Sequence, residues 1–257
     1  MKKVIYTCIT DEYDKLITPK VISKDFDYIC YTDSEKLKSD FWEIRKMPSE
    51  FLNYPKTKIN RAIKILPHKI LQEYDLSIWV DANVSINADL NGVLNDLDLM
   101  SSDCVWIPKH PSRDCAYEEA KVVFLVGKDK SDKPKKQSAK YKKDGFPTHF
   151  GMTQNSFIIR KHNDENCIKL MEMWFDELLE NSHRDQLSLQ YCEWKSGVKV
   201  VKMSKSFWGG KYIKIFQHAN GKKKVPNIPI GQNPITTSNR SKYLARRRER
   251  IIRNRIR

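Results

Sequence analysis

Apolar residues along this chain follow two rhythms. Short β-branched or aromatic runs that stop at a polar group recur at Val4 to Cys8, at Tyr28 to Thr32 before Asp33, and at Ile78-Trp79-Val80 before Asp81. They recur again at Cys104 to Pro108 and at Ser156 to Arg160. Runs of this length predict buried strands, and the first two have the pattern of parallel strands whose C-terminal ends form a site. Trp42 to Arg45, Val198 to Met203 and Tyr212 to Phe216 read as further strands. Helical spacing is clearest from Asp164 to Glu180, where Ile168, Met171, Trp174, Phe175, Leu178 and Leu179 fall at steps of three and four and make a core-facing stripe. Between Lys56 and Glu73, Ile59, Ala62, Ile63 and Leu66 keep the same spacing until Pro67 breaks or kinks the helix. Val93 to Met100 reads as a short helix, and His110 to Ala120 as a loop leading into one. A helix is also expected between the first two strands, although Asp14 to Lys24 contains Pro19 and is poorly periodic.

The chain's 257 residues suit one enzyme-sized core over residues 1–220, followed by a tail over residues 221–257. Hydrophobic residues make up 40% of it, which excludes a disordered protein, and no apolar run approaches the roughly 18 residues that suggest a membrane span. The opening Met1-Lys2-Lys3 resembles the start of a signal peptide, but Asp11-Glu12 end the apolar stretch too early, so it reads as a first strand. Six cysteines lie far apart without metal-type spacing, as reduced core cysteines do, and a cytoplasmic setting is the simpler one.

The net charge of +15 changes meaning once it is located. Nine basic residues against Glu249 between Arg240 and Arg257 carry more than half of it. A second cluster, eight lysines against Asp129 and Asp132 over residues 128–143, has few apolar residues and reads as a mobile basic lid or insertion.

Candidate chemistry centres on Asp81-Ala82-Asn83. A carboxylate delivered at the C-terminal end of a buried strand is a hard oxygen ligand where α/β sheets collect ligands, although a plain Asx turn gives the same triplet. Arg61 or Lys64, on the helix before it, is a candidate to turn inward to a diphosphate; an ordinary solvated face is the alternative. Asp185, at the start of His183 to Tyr191, is either a catalytic acid or a helix-start residue satisfying backbone donors. His218 follows the last strand.

Taken in order, Tyr28 to Asp33, Lys64 to His68, Trp79 to Asn83, His110-Pro111 with Arg113-Asp114 and Tyr117 to Glu119, Gly145 to Pro147, and Arg184 to Ser188 resemble one family. It is the glycosyltransferase-like family catalogued as domain of unknown function 616, with relatives in bacteria and among plant mucilage-type hexosyltransferase homologues. The resemblance implies an α/β domain of the GT-A class, with a mixed, mostly parallel central sheet. It further implies a nucleotide-sugar donor, a UDP-sugar, and a divalent Mn2+ or Mg2+ ion that neutralises the leaving diphosphate. Asp81 would be the first metal ligand, Asn83 stands where the family pattern has a second acid, and His218 fits the late histidine of such sites. Asp185 and Gln186 resemble the acid–amide pair that faces the sugar in retaining, family 8-like galactosyltransferases. An inverting enzyme would use a carboxylate base, for which Glu118, Glu119, Asp114 and Asp185 are all candidates. Thr7, Tyr13 and Asp33 fall where the nucleotide base and ribose would lie. His110, Arg113 and Arg184 would line the donor or acceptor side.

Leu244, Ile251, Ile252 and Ile256 among the tail's arginines permit a helix lying on an anionic membrane surface. A peripheral position at the inner face of the membrane would suit an enzyme building a capsular or lipopolysaccharide-type glycan on a glycan or lipid-linked acceptor. Two rival classes stay open: a metal-dependent hydrolase on the same scaffold, and a nucleic-acid binder acting through the tail. No nucleic-acid module is recognisable, so no nucleic acid is expected as partner.

Overall fold

Parallel pairing organises the N-terminal half. β1 (Lys3–Ile9) runs parallel to β2 (Phe26–Thr32) on one side and to β4 (Leu76–Val80) on the other, and β3 (Glu43–Lys46) extends the sheet beyond β2. The computed structural model describes residues 1–129, 131–204, 207 and 210–219. Beyond β4 one strand runs against the rest. β7 (Phe157–Arg160) is antiparallel to both β4 and β6 (Val105–Pro108), and β8 (Val201–Met203) closes the edge parallel to β6. The order is β3-β2-β1-β4-β7-β6-β8, so the α/β architecture with a mixed, mostly parallel sheet is the one observed. A separate ribbon joins β5 (Val84–Ile86) to β9 (Ile213–Ile215).

Strand alternation divides the core. Val4, Tyr6, Trp79 and Ile158 face one side, where α1 (Lys56–Ile65) and α6 (Glu165–Glu180) pack. Ile5, Ile78, Val80, Phe157 and Ile159 face the other, toward the ribbon and α3 (Asn91–Asn95). Pro67 ends α1 as expected and opens the single turn α2 (Pro67–Ile70). Asp164 caps α6 by accepting from the backbone N–H groups of Asn166 and Cys167. All six cysteines are free and buried.

Three segments differ from the sequence expectation. Asp14 to Lys24 contains no helix; the crossover runs as irregular chain, pinned where the Lys20 N–H reaches the Ile86 carbonyl at 2.9 Å. The helix expected at Val93 to Met100 is shifted and shortened to α3. Residues 128–143 carry a regular helix, α5 (Lys133–Lys143), next to α4 (Ala116–Val126). Its anchors are Pro134, Gln137 and Tyr141, and Tyr141 stacks on Tyr191 of α7 (Leu189–Ser196) at 3.9 Å between centroids. Three buried residues, one a large aromatic, suffice to dock a helix whose composition is otherwise polar. The basic tail lies outside the described residues.

Candidate active site

The site begins where β4 ends. Asp81 emerges from the apolar strand, and its Oδ1 accepts from the Trp79 indole at 2.7 Å and from Lys64 Nζ at 3.3 Å. Lys64 comes from the last turn of α1, is 2% exposed, and lies 2.7 Å from Asp185 Oδ2 as well. One buried ammonium therefore bridges two acids supplied by different parts of the chain. The backbone on either side is fixed: Tyr6 donates its hydroxyl to the Lys64 carbonyl at 3.0 Å, and the Trp174 indole donates to the Asp185 carbonyl at 3.1 Å. Asp185 opens a short 3-10 turn, Asp185–Leu187, rather than a long helix.

Burial pushes the Asp185 carboxyl up, but Lys64, then Arg61 and Arg184, outweigh it and hold the group well below the usual carboxylate range. Lys128, in the turn after α4, lies near Arg184, Glu119, Arg113 and Asp185, and desolvation lowers its ammonium below its ordinary value. Glu119 is fully buried and paired with the Arg113 guanidinium. The result is a group of cations, the buried Lys64 with the half-buried Arg61, Arg113, Lys128 and Arg184, set against Asp185, Glu119 and the part-exposed Asp81. Such a cation-rich group suits an anion with several oxygens.

Gln186 donates to the Thr153 carbonyl at 3.3 Å and to Gln154 Oε1 at 3.1 Å, so its amide is tied to the segment that leads from α5 into β7. The loop bearing Arg184 is held by Asp129, which accepts from Ser182 Oγ at 2.6 Å, while Ser182 Oγ accepts the Arg184 N–H at 3.3 Å.

A second group gathers at the ribbon. Asn83 donates from its amide to the Phe216 carbonyl at 2.6 Å, and the Phe216 N–H returns a bond to the Asn83 carbonyl at 2.8 Å. Two residues on, His218 Nδ1 lies 2.8 Å from Asp14 Oδ2, and its ring is 5.0 Å from that of Tyr13. The Asn83 NH2 is thus engaged while its oxygen is the atom left to ligate, and His218 is engaged through Nδ1, leaving Nε2. Among the described residues no three His, Cys, Asp or Glu side chains gather to hold a metal by themselves. By donor type alone, Asp81 Oδ2, the Asn83 amide oxygen and His218 Nε2 are atoms that a divalent ion accepts.

The other residues singled out from the sequence are placed as follows. Asp33 accepts the Asp11 N–H with both oxygens at 3.1 Å, Tyr13 is 47% exposed, and Thr7 is buried within β1. His110 Nδ1 accepts the N–H groups of Ser112 and Arg113, which folds that loop against the start of α4. Glu118 is half-buried, and the adjacent Glu119 takes the buried place beside Arg113. The helical phase shared by Ala116, Glu119, Ala120 and Val123 is a sequence signal for that choice. Lys128 and Asp14 had none, because each is placed by a turn whose course composition does not encode.

The sheet order and the charged cluster at the strand ends belong to an α/β domain that comparison with known families identifies as glycosyltransferase-like. A family model described as the TOD1/MUCI70 glycosyltransferase-like domain matches residues 30–220, from within β2 to just past β9, and the chain belongs to that family. Comparison with curated proteins returns no match. Among solved structures, the chain is similar to the apo structure of the bifunctional glycosyltransferase WbbM, with 12% identity and a TM-score of 0.45 over 77% of this chain; it spans 38% of that chain. It is similar also to the apo form of mouse xyloside xylosyltransferase 1, with 9% identity and a TM-score of 0.44 over 77% of this chain and 84% of that one.

Proposed function

We propose that the protein is a metal-dependent hexosyltransferase that moves a sugar from a nucleotide-diphosphate donor, a UDP-sugar, to a glycan or lipid-linked acceptor in capsule or lipopolysaccharide synthesis. The observation that carries the reading is the Lys64 ammonium set between Asp81 and Asp185, with Arg61 and Arg184 beside it. In this reading Arg61, Lys64 and Arg184 receive the diphosphate and stabilise the charge it gains as the glycosidic bond breaks. Asp81, Asn83 and His218 would hold Mn2+ or Mg2+, which supplies further neutralisation of the leaving diphosphate without a proton. Asp185 stays ionised because of its cations and is suited to accept hydrogen bonds from donor-sugar hydroxyls, with Gln186 beneath the reacting carbon. Thr7, Tyr13 and Asp33 serve the nucleoside end, His110 and Arg113 the acceptor side, and Glu118 is the carboxylate nearest to being a base there. The basic tail would bring the domain to an anionic membrane surface.

The test is thermal stabilisation of the purified protein by a panel of nucleoside diphosphates and nucleotide sugars, with Mn2+ and then with EDTA. One nucleotide should raise the melting temperature in a Mn2+-dependent way, and Asp81→Ala should abolish that dependence. Asp185→Ala should leave the nucleotide shift intact and stop sugar transfer. Absence of a shift with every nucleotide would overturn the reading, and turnover of the donor with water alone as acceptor would make the protein a hydrolase.

A further inference from the structure

β1 leaves the sheet through a tight reversal in which Asp11 and Glu12 both take left-handed backbone conformations, with φ of 53° and 51°. Two successive non-glycine residues there are unfavourable, and the Asp33 carboxylate, accepting the Asp11 N–H, helps to hold the turn. Its effect is to bring the next two side chains onto the segment that follows β9. Tyr13 lies against the His218 ring, and Asp14, 9% exposed at its side chain, accepts from His218 Nδ1 with Oδ2 at 2.8 Å. The second oxygen, Oδ1, accepts the backbone N–H of Ala219 at 3.0 Å. A carboxylate bound to one imidazole nitrogen keeps the proton there and leaves the opposite nitrogen with its lone pair free to ligate. The same segment is fastened to Asn83 by the paired bonds at Phe216, so His218 is held from both sides.

We propose that Asp14 is a positioning residue for His218: it fixes the Nδ1–H tautomer and the ring orientation that present Nε2 to a divalent cation shared with Asp81 and Asn83. This inference rests on the metal-dependent reading above. The alternative role for Asp14, a simple clasp for the segment after β9 through Ala219, affects the segment's stability but does not set the His218 tautomer.

The experiment is a Co2+ titration of the full chain, followed by the visible absorption of the bound ion, together with long-range 1H–15N NMR of His218 in the metal-free protein. Wild type should bind Co2+ and show the Nδ1–H tautomer. Asp14→Ala should weaken Co2+ binding about 10–100-fold, the usual effect of removing a carboxylate behind a ligating histidine, and should mix the tautomers. Asp14→Asn, which keeps size and an acceptor oxygen, should fall between and guards against a loss that comes merely from a loosened segment. Adding Asp14→Ala to His218→Ala should weaken binding no further. Wild-type Co2+ affinity in Asp14→Ala would overturn the role of Asp14 and leave the metal reading standing. Absence of Co2+ and Mn2+ binding by the wild-type protein would overturn both.

Discussion

Lys64 concentrates the energetics of the site in one side chain. Methionine there leaves Asp185 buried beside Arg61 and Arg184 but without its nearest cation. The expected loss at neutral pH is about 3 kcal/mol in urea unfolding, the low end for breaking a buried ion pair because two cations remain. The sign of its pH dependence follows from the depressed carboxyl. In the wild type Asp185 contributes stability at pH values above the unfolded carboxylate pKa, near 4, and that contribution is lost as pH falls into the strongly acidic range. The penalty of Lys64→Met should therefore shrink as pH is lowered into the acidic range, where the variant's Asp185 carboxyl protonates before the wild type's and relieves the unpaired charge. His162 makes a second test of the same sign at milder pH. It is fully buried, its Nε2 lies 2.8 Å from the Leu71 carbonyl, and desolvation lowers its pKa to about 4. The unfolded chain then takes up a proton near pH 6.5 that the folded chain refuses until about 4, so stability falls as pH drops through that window. His162→Gln should flatten the measured decline between those values by up to about 3 kcal/mol. At this scale much of the site was legible: an acid ending an apolar strand and an Arg-Asp-Gln triplet are visible as letters. The choice between Arg61 and Lys64 as the inward-turned cation was not, because their helix carries Lys58, Arg61 and Lys64 alike and the Tyr6 and Trp174 hydrogen bonds that place the Lys64 and Asp185 backbones come from distant segments.

Elements were read best where apolar spacing alone determines burial. α6 is the clear case, with Trp174, Phe175 and Leu178 on its buried face and Asp164 at its start. Asp164→Ala should remove two side-chain bonds to otherwise unpaired N–H groups and lower stability by about 1 kcal/mol, measurable as a shift in the urea midpoint with unchanged slope. α5 was harder because its anchors are a proline, an amide and a phenol, none of which marks a periodic apolar face. β7 was found as a strand, yet its antiparallel direction was not legible, since a short buried run looks the same whichever way it runs. The missing helix between β1 and β2 is explained by Pro19 and by the strained turn at Asp11-Glu12, which sends the chain back across the strand ends instead of along the sheet.

At the scale of the whole molecule, the α/β class followed from the succession of elements, while strand order did not, because the sheet's pairings join distant segments such as β6 with β8 and β4 with β7. Net charge was informative mainly through its location, with more than half of +15 lying in the final eighteen residues and a smaller set of cations gathered around Asp185. The β5–β9 ribbon has a consequence for synthesis. Asn83 reaches Phe216 across a separation of 133 residues, so the ribosome makes the acidic strand end long before it makes the segment that braces it. At about 5–20 residues per second, β5 waits on the order of ten seconds without its partner. Throughout that interval the nascent chain holds Asp81 and Lys64 but lacks the segment after β9 that Asn83 will fasten, so the strand end stays unbraced until the ribbon closes.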